Sequence, residues 1–162
     1  MIFNRQYDAF IGNPPFGQKK ILDVNDLNLN KLSVHNYFVG NSIKNLKNNG
    51  IAAFVISSYY LDSKNSSIRE LIGNDATFLG AVRLPNNAFK KRANTEVTTD
   101  IIFYQKGFNQ KYNKSCIKSQ MYFKNNIEMM AKKLNLDEDT IKSFHINEYF
   151  IDHPENILGN LE

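Results

Sequence analysis

The stretch that decides the predicted fold is residues 7–16, which reads YDAFIGNPPF. Its apolar part, YDAFI, stops at Gly12-Asn13-Pro14-Pro15, and two consecutive prolines cannot donate hydrogen bonds to a β-ladder. The run therefore predicts a strand that ends at a stiff turn. Open α/β sheets bind their ligands just outside the carboxyl ends of their strands, so this turn is the first candidate for a functional site.

The segments that follow predict half of an open α/β sheet. Residues 17–31 read as a long surface loop, and apolar residues recur at helical spacing over residues 34–46, with a helix stop at Asn48-Asn49-Gly50. Residues 51–56 form a continuous apolar run, as expected of a strand that is covered on both faces. Strand and helix thus alternate, which is typical of a doubly wound sheet.

Further elements extend this pattern towards the C-terminus. A helix is predicted to begin at Ser66 or Ser67, and strands are predicted at residues 78–84 and 97–105. We expect the last of these to pair antiparallel with residues 115–123. Asp100 lies inside an apolar strand and needs a partner if it is buried. Short helices at residues 126–134 and 139–144 and an irregular segment complete the tail.

The composition excludes several classes of protein. The chain has 162 residues, the size of one globular domain, and its net charge of +4 suits an anionic partner only mildly. A single cysteine, Cys116, excludes an internal disulfide, and the three histidines are too scattered to indicate a metal site. The longest apolar run is far shorter than the roughly 18 residues of a membrane helix, so we expect a soluble, cytoplasmic protein without membrane contact.

The turn can accept hydrogen bonds from an amine. An exocyclic adenine amine is a poor nucleophile because its lone pair is delocalised into the ring, and acceptors of its hydrogen bonds pull the nitrogen towards tetrahedral geometry. The side-chain oxygen of Asn13 and the carbonyl of Pro14 are two such acceptors, which Pro15 holds in place. Phe16 offers a flat face for a base that has left the helix. A rigid turn that only ends a strand is the plainer alternative.

GNPPF after an apolar strand resembles the amine-binding motif of adenine-N6 DNA methyltransferases, in which Asp, Asn or Ser precedes Pro-Pro and an aromatic residue. The resemblance implies that Asn13, Pro14, Pro15 and Phe16 form the catalytic turn, with Asn13 and the Pro14 carbonyl on the adenine amine and Phe16 stacked on the ring. The same short motif also occurs in enzymes that methylate RNA bases or protein glutamine. Those substrates remain alternatives.

The resemblance extends over nearly the whole chain. NLKNNG followed by IAAFVISS is similar to a helix, turn and fifth strand of the methyltransferase fold, and the stretches FLGAVRLPNNAFKKRANTEVTTDIIFYQKG and INEYFIDHPENILG resemble bacterial and phage proteins that join a methylase to a helicase-like region. The resemblance implies that the chain is the C-terminal half of a Rossmann-like, S-adenosylmethionine-dependent methyltransferase sheet. This half comprises strands 4 to 7 with an antiparallel hairpin, and a short helical tail follows it. We expect a partial catalytic domain over residues 1–124 and a tail or linker over residues 125–162, of which Leu161 and Glu162 resemble a cloning-site remnant.

A basic loop is the second candidate site. In the family that the chain resembles, the loop before the sixth strand helps to hold the extruded base through an aromatic residue, and Phe89 is the matching residue here. Lys90, Lys91 and Arg92 follow it and form the densest basic run in the sequence, which suits contact with DNA phosphates. Alternatively, Phe89 only anchors the loop on the sheet, and the three basic residues form a solvated charge run.

The sequence departs from the family in its cofactor-binding elements. Family members bind S-adenosylmethionine on a glycine-rich turn, but no Gly-x-Gly occurs among the eight glycines here. We therefore expect S-adenosylmethionine to act in the full-length protein, with the isolated fragment inactive and in need of a missing N-terminal half. The unpaired edge of the first strand would then favour self-association. A non-catalytic DNA-binding module is the main alternative to an enzyme of restriction-modification systems or mobile elements.

Overall fold

In a computed structural model of the chain, the described residues are 6–15, 17, 19–23, 26–85, 88, 98–107, 118–121 and 145–158. A four-stranded sheet organises them, with strands β1 (Tyr7–Gly12), β2 (Leu46–Ser57), β3 (Ala76–Arg83) and β4 (Thr99–Lys106). Their order across the sheet is β1-β2-β4-β3. β1 is parallel to β2, and β4 lies antiparallel between β2 and β3. β1, β2 and β3 therefore end at one edge of the sheet, where β4 begins.

Within the described residues, three helices lie between β1 and β3. They are α1 (Val34–Lys44), α2 (Tyr59–Asp62) and α3 (Ser67–Gly73). In α1, Val39 and Ile43 are spaced one turn apart and are buried in the core. The expected helices at residues 34–46 and from Ser66 or Ser67 are thus present, whereas the single turn of α2 was not predicted.

The central strand β2 differs from its prediction in two ways. It begins at Leu46 rather than Ile51, because the helix ends at Lys44 and the Asn-Asn-Gly segment already belongs to the strand. Gly50 permits this path, since a Cβ there would lie 2.9 Å from the carbonyl oxygen of Lys47. The expectation of full burial on both faces was also wrong: burial alternates, with Ala52 buried and Ala53 half-buried, because the described helices form one core with one face of the sheet.

The C-terminal residues return to the main sheet. β5 (Ser119–Met121) pairs antiparallel with β6 (His145–Asn147), and α4 (Glu148–Asp152) and a 3₁₀ turn (Pro154–Asn156) follow. The rings of Tyr149 and Phe78 meet edge to face with centroids 5.1 Å apart, which fastens α4 to β3.

The predicted pairing of residues 97–105 with residues 115–123 was wrong. β4 uses both of its edges on β2 and β3, so no edge is left for β5, which pairs with the more distant β6 instead. The antiparallel hairpin of the sheet is formed by β3 and β4. The short helices expected at residues 126–134 and 139–144 lie outside the described residues, and none of the described helices is long and apolar enough to cross a membrane.

Candidate functional site

The predicted catalytic turn follows β1 at the edge where the parallel strands end. Gly12 pairs with Phe54 of β2, and Asn13, Pro14 and Pro15 then leave the sheet. Asn13 and Pro15 are exposed, whereas Pro14 is buried. The amide of Asn13 is therefore open to a ligand while the turn is anchored by its middle residue. Phe16 lies outside the described residues.

The segment after the turn is fixed to the start of α1. The ring of His35 donates a hydrogen bond to the carbonyl of Gly17, and the backbone amide of Val34 donates to the carbonyl of Lys19 at 2.9 Å. Burial lowers the pKa of His35 below its usual value, an effect that the bond to Gly17 opposes, so the ring is neutral near pH 7. These contacts hold the segment after the turn against the first turn of α1.

The long loop between β1 and α1 is held by specific contacts. Its Leu29 side chain is fully buried against Gly40 of α1. The hydroxyl of Tyr37 donates to Asp23 at 2.9 Å, and Lys44 pairs with Asp26. Most described residues of this loop lie at the surface, as expected. The buried side chain of Leu29 packs the loop on α1.

A second segment leaves the sheet beside the turn, at the end of β2. Tyr59 is 68% exposed there, and its backbone amide donates to the hydroxyl of Ser57 at 3.3 Å. The amide of Ser58 donates to the carbonyl of Thr98 at 2.9 Å, which fixes this segment to the start of β4. Tyr59 was not predicted from the sequence, although its position directly after a predicted parallel strand was the available signal.

A buried ionic cluster lies at the same edge of the sheet. Arg83, the last residue of β3, donates to both carboxylate oxygens of Asp100 at 2.8 and 2.9 Å and pairs with Asp62 at 2.9 Å. The guanidinium also stacks 4.3 Å from the centre of the Phe150 ring. The expectation that a buried Asp100 needs a partner is confirmed.

Arg83 faces two carboxylates in this cluster, and the charge of Arg69 also acts on Asp62. Burial raises the pKa of Asp100 to about 6, although the hydrogen bonds and charge of Arg83 act against this shift. Burial also raises the pKa of Asp62, against Arg83 and the backbone amide of Asn147. The carboxylates in turn raise the pKa of Arg83, which stays charged. The cluster therefore ties α2, β3, β4 and β6 together beside the site, and its side chains have structural partners.

The basic loop connects β3 to β4 at this edge. It leaves the sheet after Arg83 and re-enters it at Thr99. Three strand spacings of about 4.8 Å separate β1 from β3, so Arg83 and Asn13 lie on the order of 14 Å apart along the edge. The predicted substrate-binding residues Phe89, Lys90, Lys91 and Arg92 lie outside the described residues, and their roles remain predictions.

The expectation that this chain lacks the cofactor-binding elements for S-adenosylmethionine stays a prediction. The glycines include no Gly-x-Gly, and the acidic side chains nearest the edge, Asp62 and Asp100, are bound to Arg83. Within the described ranges, no three His, Cys, Asp or Glu side chains are grouped closely enough to hold a metal ion.

Several solved structures have a similar fold. The M protein of the type I restriction enzyme EcoKI is 16% identical, with a TM-score of 0.54 over 93% of this chain and 42% of its own. A type I modification subunit from Vibrio vulnificus YJ016 is 22% identical, with a TM-score of 0.54 over 65% of this chain and 24% of its own. A class I S-adenosylmethionine-dependent methyltransferase from Listeria monocytogenes is 17% identical, with a TM-score of 0.51 over 68% of this chain and 35% of its own.

These likenesses confirm the expected fold class, a fragment of a Rossmann-like methyltransferase sheet. The chain spans between 22% and 42% of the length of the first structures that it matches. No curated protein matches the sequence.

The family follows from the sequence. The family model for Eco57I restriction-modification methylases matches residues 1–89, more than half of the chain. The chain therefore belongs to the Eco57I restriction-modification methylase family. The matched part contains the predicted catalytic turn together with β1, β2 and β3.

Proposed function

We propose that the chain is the base-binding half of an enzyme that transfers a methyl group to the N6 amine of adenine in DNA. The observation that carries this proposal is the exposed Asn13 on a turn anchored by the buried Pro14, at the carboxyl edge of a methyltransferase sheet. Membership of the Eco57I restriction-modification methylase family supports DNA as the substrate.

The residues of the turn act on the amine. The Asn13 side-chain oxygen and the Pro14 carbonyl accept hydrogen bonds from the two amine hydrogens, which withdraws the nitrogen lone pair from the ring and directs it outwards. Because the turn is rigid, the acceptors are oriented before the base arrives. Phe16 stacks on the extruded ring, and Phe89 contacts it from the loop after β3.

The methyl donor is bound by another part of the longer protein. S-adenosylmethionine supplies the methyl group when bound. Because no Gly-x-Gly occurs in this sequence, we expect the isolated chain to be inactive. β1 is the edge strand of the described sheet, and a strand from the other half of the sheet would pair with it. Pairing of β1 with a second copy of the chain is the competing outcome.

Methylation by the longer protein tests the role of Asn13. Asn13→Ala is expected to lower the rate of transfer to adenine by about 100- to 1000-fold, the usual effect of removing one oriented hydrogen-bonding group from a catalytic site. Asn74→Ala is the matched control, because Asn74 is also exposed but lies before β3, at the opposite edge. Equal rates in both variants would contradict the proposal. If the labelled methyl groups appear on RNA or on protein glutamine instead of DNA, that polymer is the substrate.

The basic run Lys90-Lys91-Arg92 favours a second function, DNA binding without catalysis. If the three side chains contact phosphates, replacing them with Gln lowers the slope of log affinity against log salt by about 2.7, or 0.9 for each contact. Salt-dependent binding by a longer protein that never methylates DNA would establish this function in place of the enzyme.

A further inference from the structure

Three exposed lysines lie at the edge of the sheet where β1 and β2 end. Lys19 and Lys20 follow the predicted catalytic turn and precede α1, and Lys64 follows α2. Because α1 and α3 each lead from this edge back to the start of the next strand, the segments before them, which carry the lysines, share the edge with Asn13. The three side chains are therefore placed to contact a ligand that also reaches the turn.

Backbone contacts hold the first two lysines against the start of α1. The carbonyl of Lys19 accepts a hydrogen bond from the amide of Val34 at 2.9 Å, and Lys20 forms an antiparallel β-bridge with Ser33. The backbone of both lysines is thus already positioned before a ligand binds. Binding then has to order only the two side chains, which lowers its entropic cost.

A cleft lies between this segment and Lys64. It is a cavity of about 190 Å³ that opens between the first turn of α1 and the segment after β2. His35 and Asn36 line one wall, and Ser63 and Asn65, the two neighbours of Lys64, line the other. No Asp or Glu is among its described lining residues. A polyanion that runs across the cleft therefore meets cations on both rims and no repelling carboxylate in the lining.

The described lysines at the opposite edge of the sheet have carboxylate partners. The pairs are Lys44–Asp26, Lys47–Asp8 and Lys106–Asp75. In the described part of the chain, none of the three lysines at the cleft pairs with a carboxylate. Glu70, on the helix after Lys64, accepts a hydrogen bond from the hydroxyl of Ser66 at 2.5 Å. Within the described residues, no ion pair neutralises the positive charge at the cleft, and this charge attracts an anionic partner.

We propose that Lys19, Lys20 and Lys64 form a second phosphate-binding surface, which holds the backbone of the target DNA across this cleft. The proposal rests on DNA being the substrate of the neighbouring turn. Exposed cations on two separate segments suit the repeated phosphates of a DNA strand better than one small anion, because a small anion is bound by donors that converge on it. These contacts are separate from those proposed for the basic loop after β3.

The salt dependence of DNA binding by the longer protein tests this surface. Each phosphate contact adds about 0.9 to the slope of log affinity against log salt on duplex DNA. Fluorescence anisotropy with an adenine-containing duplex is expected to give a slope lower by about 1.8 for the double variant Lys19→Gln/Lys20→Gln and by about 0.9 for Lys64→Gln. With all three lysines replaced, the loss of affinity between about 50 and 200 mM salt is expected to be about 40-fold smaller than in the wild type.

Lys47→Gln is the matched control, because it removes the same charge from an exposed lysine at the opposite edge, and its slope is expected to equal that of the wild type. Lys19→Arg/Lys20→Arg keeps the charge and is expected to keep the slope. Wild-type slopes in the glutamine variants at the cleft, or an equal fall in Lys47→Gln, overturn the surface. Methylation of adenine with unchanged slopes overturns this surface alone, whereas the expected slopes without methylation support it and contradict the proposed function.

Discussion

Replacing Arg83 with Met is expected to destabilise the protein more than most single substitutions. The side chains of Arg83 and Asp100 are 4% and 0% exposed, and that of Asp62 is 17% exposed. Without the guanidinium, two carboxylates remain close together with little solvent around them. Leaving a buried charge without its partner costs about 3–5 kcal/mol, a large part of the roughly 5–15 kcal/mol that holds a domain folded.

The size of this loss can be separated from a general effect of removing charge. Asp100→Asn leaves Arg83 paired with Asp62 and is expected to cost about 1–2 kcal/mol, since the cluster loses one of two anions rather than the cation that both share. Lys47→Met is the control, because Lys47 and Asp8 form an exposed pair, with side chains 50% and 85% exposed. Its cost is expected to stay within about 0.5 kcal/mol.

Urea denaturation at pH 7, followed by circular dichroism, measures the free energy of unfolding of the three variants. The expected order of losses is Arg83→Met, then Asp100→Asn, then Lys47→Met. A loss for Arg83→Met no larger than that for Lys47→Met would refute the view that the cluster holds α2, β3 and β4 together. A loss for Asp100→Asn as large as that for Arg83→Met would refute the assignment of Arg83 as the shared cation.

Two further predictions concern pH and packing. Since the folded pKa of Asp100, about 6, lies above its unfolded value, the folded state binds this proton more tightly, and the free energy of unfolding is expected to rise as pH falls from 8 to 5. Denaturation across this range should show a smaller rise in Asp100→Asn; a fall in the wild-type protein would contradict the prediction. Gly40→Ala places a Cβ 2.6 Å from Leu29 and is expected to cost about 1–3 kcal/mol in thermal unfolding, more than the gain in helix propensity. Gly12→Ala is the control, because no atom lies within 4 Å of the new Cβ. Equal losses of stability in the two variants would show that the Leu29 side chain moves aside without cost.

Local sequence patterns identified the elements that position the site. The apolar run before the Pro-Pro turn and the β-branched run of β2 each predict a strand, and the helical period between them requires a crossover that makes the two strands parallel. The position of Asn13 at the carboxyl edge follows from these features alone. The motif resemblance then supplied its proposed role.

The errors arose where structure depends on distant parts of the chain. β5 and β6 are separated by residues 122–144, and a rule that pairs neighbouring strands cannot identify such a partner. The insertion of β4 between β2 and β3 likewise depends on tertiary packing.

The proposed function depends on Asn13, which presents its side-chain oxygen to the adenine amine. The most direct test is the rate of methyl transfer to adenine-containing DNA by the longer protein in single-turnover conditions, for wild type and Asn13→Ala. The rate is expected to be about 100- to 1000-fold lower for the variant, with DNA affinity nearly unchanged. Equal single-turnover rates for the two proteins would contradict it.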